Sequence, residues 1–467
     1  MKKTKIEDID RSVYDIIDDV KIRTKAPKGL NEDIIKKISK EKGEPSWMLD
    51  IRLKAFKEFE KAKNPDWGPD LTEVDLNKIS TYIAPDAKKE ASWEDVPEEI
   101  KNTFDRLGIV DAEKKYLAGV SAQFDSEEIY HNVKDYLVKK GVIYMDMSTA
   151  LKEHEELVKK YFSKLIDEKL HKYAALHLAV WSGGSFVYVP KGIELDIPIQ
   201  SYYRLNAPGA GQFEHTLIVV EDNASLHFIE GCSAPKYNTL NIHAGSVEIF
   251  VGKNAKMKFS TIENWSKNMY NLNTKKALVK EGGNIDWVSG SFGSKVSMLY
   301  PTTILEEKYA SMTYTGLTFA SSIQEIDNGS GVIHLAPFTN SNVNTKSISK
   351  GSGKSVTRNH VYISREAVNS VSNSDCSNLM LDKESISYTI PVINVKNNES
   401  EVIHEATTGK ISPSKIFYLM SRGLTEEEAK EQIIKGFSEP ISKLLPIEYA
   451  VEMNNLIGIE LEGTNGW

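Results

Sequence analysis

Only two residues of this 467-residue chain carry thiols, Cys232 and Cys376, and they are its most distinctive chemical groups. A thiolate is both a nucleophile and a soft metal ligand. Two of them cannot build a CxxC zinc knuckle, a four-thiolate metal site or a disulfide-rich secreted fold from one copy of the chain. Cys232 ends the run ASLHFIEGC, where Leu226, Phe228, Glu230 and Cys232 share strand parity. An uninterrupted strand past Gly231 therefore puts this thiol on the apolar, inward side, as a small core hydrophobe or as a sheltered reactive group. Cys376 lies in the polar run SNSDCSNLMLD with parity opposite to Leu379 and Leu381, so it is expected to face outward if those leucines face inward. A third group is His404-Glu405 in SEVIHEATTGKIS. Imidazole and carboxylate complete the coordination of iron where thiolates are scarce. Adjacent strand residues project to opposite faces, so at most one of this pair joins a given site unless the strand ends there. Without further context the two are an ordinary exposed couple.

Three apparent motifs fail on inspection. GSGKS at 351–355 ends like a phosphate-binding loop, but Ile348 stands where the first glycine must be, and the segment sits among strands. His404-Glu405 opens like a zinc-protease motif, but Thr408 occupies the second histidine position. Gly329-x-Gly331 has His334 where a dinucleotide fingerprint needs glycine, and no Gly-x-Ser-x-Gly elbow is present. The chain is thus expected not to hydrolyse ATP itself.

The elements that must position these groups fall into three stretches. Composition is that of a globular protein, 40% hydrophobic and 27% charged, and the net charge of −8 argues against a general nucleic-acid or anionic-membrane binder. The N-terminus turns acidic at Glu7 and Asp8 with no apolar run behind it, and no window reaches the ~20 apolar residues of a membrane span, so the chain reads as cytoplasmic. Residues 1–172 show helical spacing, as in Met48, Ile51, Ala55 and Phe59, and in Val158, Tyr161, Phe162 and Leu165 of EHEELVKKYFSKLI. From 173 to 410 short alternating strands take over. There a small-x-apolar-x-aromatic signature recurs as Ala224-x-Leu226-x-Phe228, Ala255-x-Met257-x-Phe259, Gly283-x-Ile285-x-Trp287 and Ala310-x-Met312-x-Tyr314. Each copy follows a polar turn, EDN, GKN, KEG or EEKY. A strand repeat of this period predicts a stacked β-solenoid, and each repeat is too short for a propeller blade. Residues 411–467 return to helix, with Thr425 and Glu428 forming a capping box ahead of Ala429, Ile433 and Phe437. That helix either closes the end of the solenoid or docks a partner.

The segments SYYRLNAPGAGQFEHTLIV, EGCSAP around Cys232, ENW at 263–265, the cysteine near SNLML, HEATTGKIS and SRGLTEEEAKEQIIKGF closely resemble, in order and over nearly the whole chain, the SufB branch of the SufB/SufD family of iron–sulfur cluster assembly proteins. The resemblance implies a right-handed parallel β-helix between an N-terminal helical domain and a C-terminal one. It implies a non-enzymatic scaffold on which a transient, labile iron–sulfur cluster is built and passed to acceptor proteins. The implied partners are the SufC ATPase at the C-terminal helices, SufD or a second copy of the chain at the β-helix ends, and a SufE or SufU sulfur donor served by the SufS desulfurase. A reduced flavin is left open as electron source. By position, Cys376 corresponds to the main cluster ligand, with Glu405 and His404 beside it, and Cys232 to the sulfur acceptor. Arg204, Asn206, Trp265 and Lys275 correspond to positions associated with sulfur passage. Two departures are Ile403, where some members carry an acid, and Glu263, which replaces a glutamine. A secreted carbohydrate-active β-helix enzyme and a purely structural SufD-like solenoid are the competing readings; the latter predicts no thiol dependence.

Overall fold

The computed structural model describes Asp15 and residues 17–462, so the acidic turn at Glu7 and Asp8 lies outside the described residues. The repeat signature folds as its period demands. Leu226, Met257, Ile285 and Met312 are register partners on successive parallel strands, and so are Phe228, Phe259, Trp287 and Tyr314. Their rings meet, stacked with centroids 5.7 Å apart for Phe228 and Phe259 and tilted at 5.3 Å for Phe259 and Trp287. The last residue of each preceding turn, Asn223, Asn254, Gly282 or Tyr309, has positive φ. Asn and Gly enter this left-handed region at low cost, whereas Tyr309 does so at greater cost. The turns are tied coil to coil, since the N–H of Asn223 donates to Lys253 O at 2.8 Å and that of Asn254 to Glu281 O at 2.9 Å.

The result is a mainly β molecule with a parallel solenoid of about eight turns and helical regions at both ends of the chain. Two long sheets, of ten and thirteen strands, form its walls. The sheets begin earlier than residue 173. Gly119–Phe124 pairs in parallel with Ile199–Arg204, and Ile143–Asp146 pairs antiparallel with Ser185–Val189. These strands are short and interleaved with charged helices, which hid them from a periodicity reading.

In the N-terminal region the helix Ser46–Lys61 buries Met48 and Ala55 and packs Ile51 and Phe59 as expected. The second predicted helix is shorter than its apolar pattern, spanning Glu155–Tyr161. Glu248, inside a strand, accepts the N–H groups of Ser163 at 2.7 Å, Leu165 at 2.6 Å and Ile166 at 3.0 Å. This pulls the chain out of the helix, so Phe162 and Ile166 are buried from a loop and Leu165 stays half-buried.

The C-terminal helices are Pro413–Met420, Glu426–Ser442 and Ile447–Glu462. The capping box is present, with Glu428 N–H donating to Thr425 Oγ1 at 3.2 Å and Thr425 N–H to Glu428 Oε2 at 2.8 Å. These helices do not close the solenoid end. Ile434, Ile441 and Met453 pack against Ile229, Ile262, Val288 and Leu317 on the outer face of the ten-stranded sheet. Among the described residues, no helix is long and apolar enough to cross a membrane.

Candidate functional site

Two residues past each aromatic of the signature, the inner face of the ten-stranded sheet changes from apolar to polar. One column of register partners reads Glu230, Thr261, Ser289, Gly316, Thr345, Cys376 and Ala406. The next reads Tyr203, Cys232, Glu263, Ser291, Thr318, Ser347, Asn378 and Thr408. The two thiols therefore face the same interior from neighbouring columns, five strand steps apart. At ~4.8 Å per step this is roughly 24 Å along the solenoid. Hydroxyl and carboxylate groups line the wall between them.

Cys232 lies where its parity predicted, because the strand Ser225–Ser233 runs unbroken past Gly231. It is 1% exposed, in a cluster with Tyr203, Trp265 and Met269. Around it lies a buried charge group. Lys275 Nζ sits 2.5 Å from Glu230 Oε1 and 3.7 Å from Glu263 Oε1. His243 Nε2 is 2.5 Å from Glu214 Oε1, and its ring is 4.5 Å from that of Trp265. Asn271 Nδ2 donates to Glu263 Oε2 at 2.6 Å. Burial pushes the Cys232 thiol well above its ordinary value, Glu230, Glu214 and Glu263 push it further, and Lys275 opposes them. Burial works against the Lys275 ammonium, but Glu230 and Glu263 hold its pKa above the usual one. Burial likewise disfavours a charged His243, and Glu214 with Glu263 reverses the balance and raises it. Burial and the three carboxylates thus favour the protonated Cys232 thiol over the thiolate.

Cys376 faces inward, contrary to the sequence expectation, and is fully buried. In the strand Val371–Met380 the inward set is Ser372, Ser374, Cys376 and Asn378. Leu379 and Leu381 point outward and pack against the C-terminal helices, a second apolar layer that parity alone could not anticipate. The Cys376 sulfur accepts from Asn359 Nδ2 at 3.2 Å and lies 3.8 Å from His404 Nε2. Burial raises this thiol above its ordinary value, hydrogen bonds with Thr345 and Asn359 counteract this, and Asp375 adds to it. His404 comes from Glu401–Lys410, the last strand of the ten-stranded sheet. Glu405, one residue on, is exposed and in register with Asp375, on the face opposite to the thiol. The structure joins Cys376 with His404 and leaves Glu405 outside. Among the described residues, no group of three or more His, Cys, Asp or Glu side chains is arranged to hold a metal ion.

The four remaining predicted positions divide. Trp265 and Lys275 belong to the Cys232 surroundings. Arg204 does not: it follows the inward Tyr203, and its Nη1 donates to Ser233 Oγ at 3.0 Å. Asn206 binds the backbone of Asp18 through Nδ2 at 2.9 Å and Oδ1 at 3.0 Å, tying down the N-terminal segment. Sequence reasoning put Glu230 on the inward side with Cys232 but gave it no role, and it missed Glu214, His243 and Asn359. Carrying the repeat register two and four residues past each aromatic finds the wall through Glu230; Asn359, on the other sheet, leaves no such signal.

The family comparisons agree with the fold. Residues 203–437 match the family model described as "SUF system FeS cluster assembly, SufBD core domain", and residues 29–201 match "SufBD protein N-terminal region". An iron–sulfur cluster assembly SufBD family protein of Staphylococcus aureus strain MRSA252 is 50% identical over 449 residues, 96% of both chains. One from Staphylococcus epidermidis is 50% identical over 442 residues, 95% of both chains. With its solenoid, its two inward thiols and these similarities, the chain belongs to the SufB/SufD family of iron–sulfur cluster assembly proteins of the SUF system.

Proposed function

We propose that the chain is a scaffold of the SufB kind, which accepts sulfur at Cys232 and assembles a nascent iron–sulfur cluster at Cys376. The observation that carries this reading is the pair of inward thiols joined by one continuous polar wall. A SufD-like structural solenoid has no need of that arrangement. In the first step the Cys232 thiolate attacks the outer sulfur of a donor persulfide. The donor thiolate leaves, a Cys232 persulfide forms, and the proton from the thiol passes to a neighbouring carboxylate. Release of that sulfur breaks the S–S bond of the persulfide anion, takes two electrons and a proton, and gives hydrosulfide and the Cys232 thiolate. A reduced flavin is the proposed electron donor, and Thr261, Ser289, Ser291, Thr318 and Ser347 offer hydroxyl donors to the hydrosulfide moving toward Cys376.

At Cys376 one thiolate and the His404 imidazole supply two iron ligands, whereas clusters are commonly held by about four. The remainder come from a second chain or from Glu405. The end strands Ile386–Val395 and Glu401–Lys410 expose Tyr388, Val392, Ile393 and Ile403, an apolar edge suited to SufD or a second copy. Glu405, on the outer face there, enters as a ligand if the end strand turns when covered. The helix Pro413–Met420 exposes Phe417, Tyr418 and Met420, and this patch is the proposed dock for the SufC ATPase, which supplies the ATP chemistry this chain lacks. The sulfur donor is a SufE- or SufU-type protein served by SufS, and finished clusters pass to acceptor proteins.

The test is anaerobic reconstitution with iron and sulfide, followed by visible absorbance and bound iron, in wild type, Cys376→Ala and His404→Ala. Wild type acquires a cluster, Cys376→Ala does not, and His404→Ala holds less iron. Equal cluster content in all three overturns the assignment.

A further inference from the structure

The strand that turns Lys275 into the interior turns its neighbour Lys276 outward, against a cavity of about 470 Å³ between the solenoid wall, the loop around residues 62–67 and the start of the helix Lys172–Val180. Such a volume suits a small organic ligand. Trp67, Tyr173 and Tyr300 supply aromatic walls. Trp67 remains 46% exposed, with its ring 5.8 Å from that of Tyr300 and the Arg358 guanidinium 4.7 Å from its centroid. A second cavity of about 400 Å³ shares Trp67, Tyr300 and Thr302 with the first, so the two form one cleft.

The charge of the first cavity is the unusual feature. Lys63, Lys172, Lys275 and Lys276 line it and no carboxylate does, in a chain with net charge −8, although the Lys275 ammonium is turned inward to Glu230 and Glu263. Burial lowers the pKa of Lys276, and the carboxylates that oppose this, Asp167 and Glu248, form no ion pair with it among the described residues. Glu248 is already engaged by three backbone N–H groups and by His215 Nε2 at 3.2 Å. An unpaired, partly desolvated ammonium facing an aromatic-walled cavity is stabilised by a bound anion.

We propose that this cleft binds a small aromatic anion, its ring against Trp67 and Tyr300 and its phosphate or carboxylate at Lys276 and Lys172. Nothing in the thiol chemistry described above requires this site, and the two readings stand or fall separately.

The test is calorimetric titration of the full chain with 1-naphthyl phosphate, 1-naphthol and inorganic phosphate, in wild type, Lys276→Gln and Trp67→Ala, each variant first matched to wild type in thermal unfolding. Wild type is expected to bind 1-naphthyl phosphate at one site per chain with Kd below about 1 mM, and the two fragments at least about tenfold more weakly. Lys276→Gln should erase the advantage over 1-naphthol and Trp67→Ala the advantage over inorganic phosphate. If either variant unfolds early, Lys276→Arg and Trp67→Phe replace them, with binding retained in both. Absence of binding by wild type at millimolar ligand, or binding that neither side chain affects, overturns the proposal.

Discussion

Lys275 is the residue on which the interior of the solenoid is balanced, because it is the cation between Glu230 and Glu263 in a site closed to water. Removing it leaves two buried carboxylates uncompensated. Lys275→Met is expected to cost about 3–5 kcal/mol, read from urea unfolding, and pairing it with Glu230→Gln should recover part of the loss. Glu263 has the opposite influence on the neighbouring thiol. Glu263→Gln removes a negative charge that raises the Cys232 pKa, so iodoacetamide labelling of Cys232 at a fixed pH should become faster, as followed by mass spectrometry. An unchanged or slower rate contradicts the electrostatic account. At this scale the sequence was a good guide where one strand sufficed: the orientation of Cys232 followed from Leu226 and Phe228. It misled at Cys376 because Leu379 and Leu381 are apolar for the sake of the C-terminal helices, and a strand buried on both faces has no single apolar parity.

Strands and helices show where local patterns are sufficient and where neighbours override them. The repeat signature was legible because every copy occupies the same register, and even the turn preceding each copy ends on a positive φ. The capping box at Thr425 was legible because it is wholly local, and Thr425→Ala is expected to destabilise the helix Glu426–Ser442 by about 1 kcal/mol, seen as faster amide exchange in its first turn. The end of the helix at Tyr161 was not legible, since the group that ends it, Glu248, is remote in sequence. The strands of residues 119–146 escaped for a partly related reason: Gly119–Phe124 forms a local hairpin with Glu127–Val133, but its other partner, and the partner of Ile143–Asp146, lie in the solenoid. On the helix Pro413–Met420, Phe417 is 72% exposed and lies outside the apolar clusters of the described residues. Phe417→Ser should therefore leave thermal stability within ~0.5 kcal/mol of wild type while weakening ATPase association in a pull-down with purified SufC.

For the whole molecule, the solenoid interior disfavours the charged form of a histidine that lacks a carboxylate partner. His334 is fully buried, with Nδ1 2.8 Å from Thr339 Oγ1 and Nε2 3.0 Å from Ser341 Oγ, and burial lowers its pKa from 6.5 to about 4. A folded-state value below the unfolded one gives stability that is present above pH ~6.5 and is lost as pH falls toward the folded value. From pH 7 to 5 wild type should lose about 2 kcal/mol more unfolding free energy than His334→Gln. The same long architecture separates the two thiols by several coils, and their order of action is the central claim. The decisive measurement is mass-spectrometric location of sulfane sulfur after incubation with a cysteine desulfurase and its sulfur-carrier protein, in wild type, Cys376→Ala and Cys232→Ala. The account predicts that persulfide accumulates on Cys232 in Cys376→Ala and is absent from Cys376 in Cys232→Ala. Persulfide on Cys376 in the chain lacking Cys232 would contradict it.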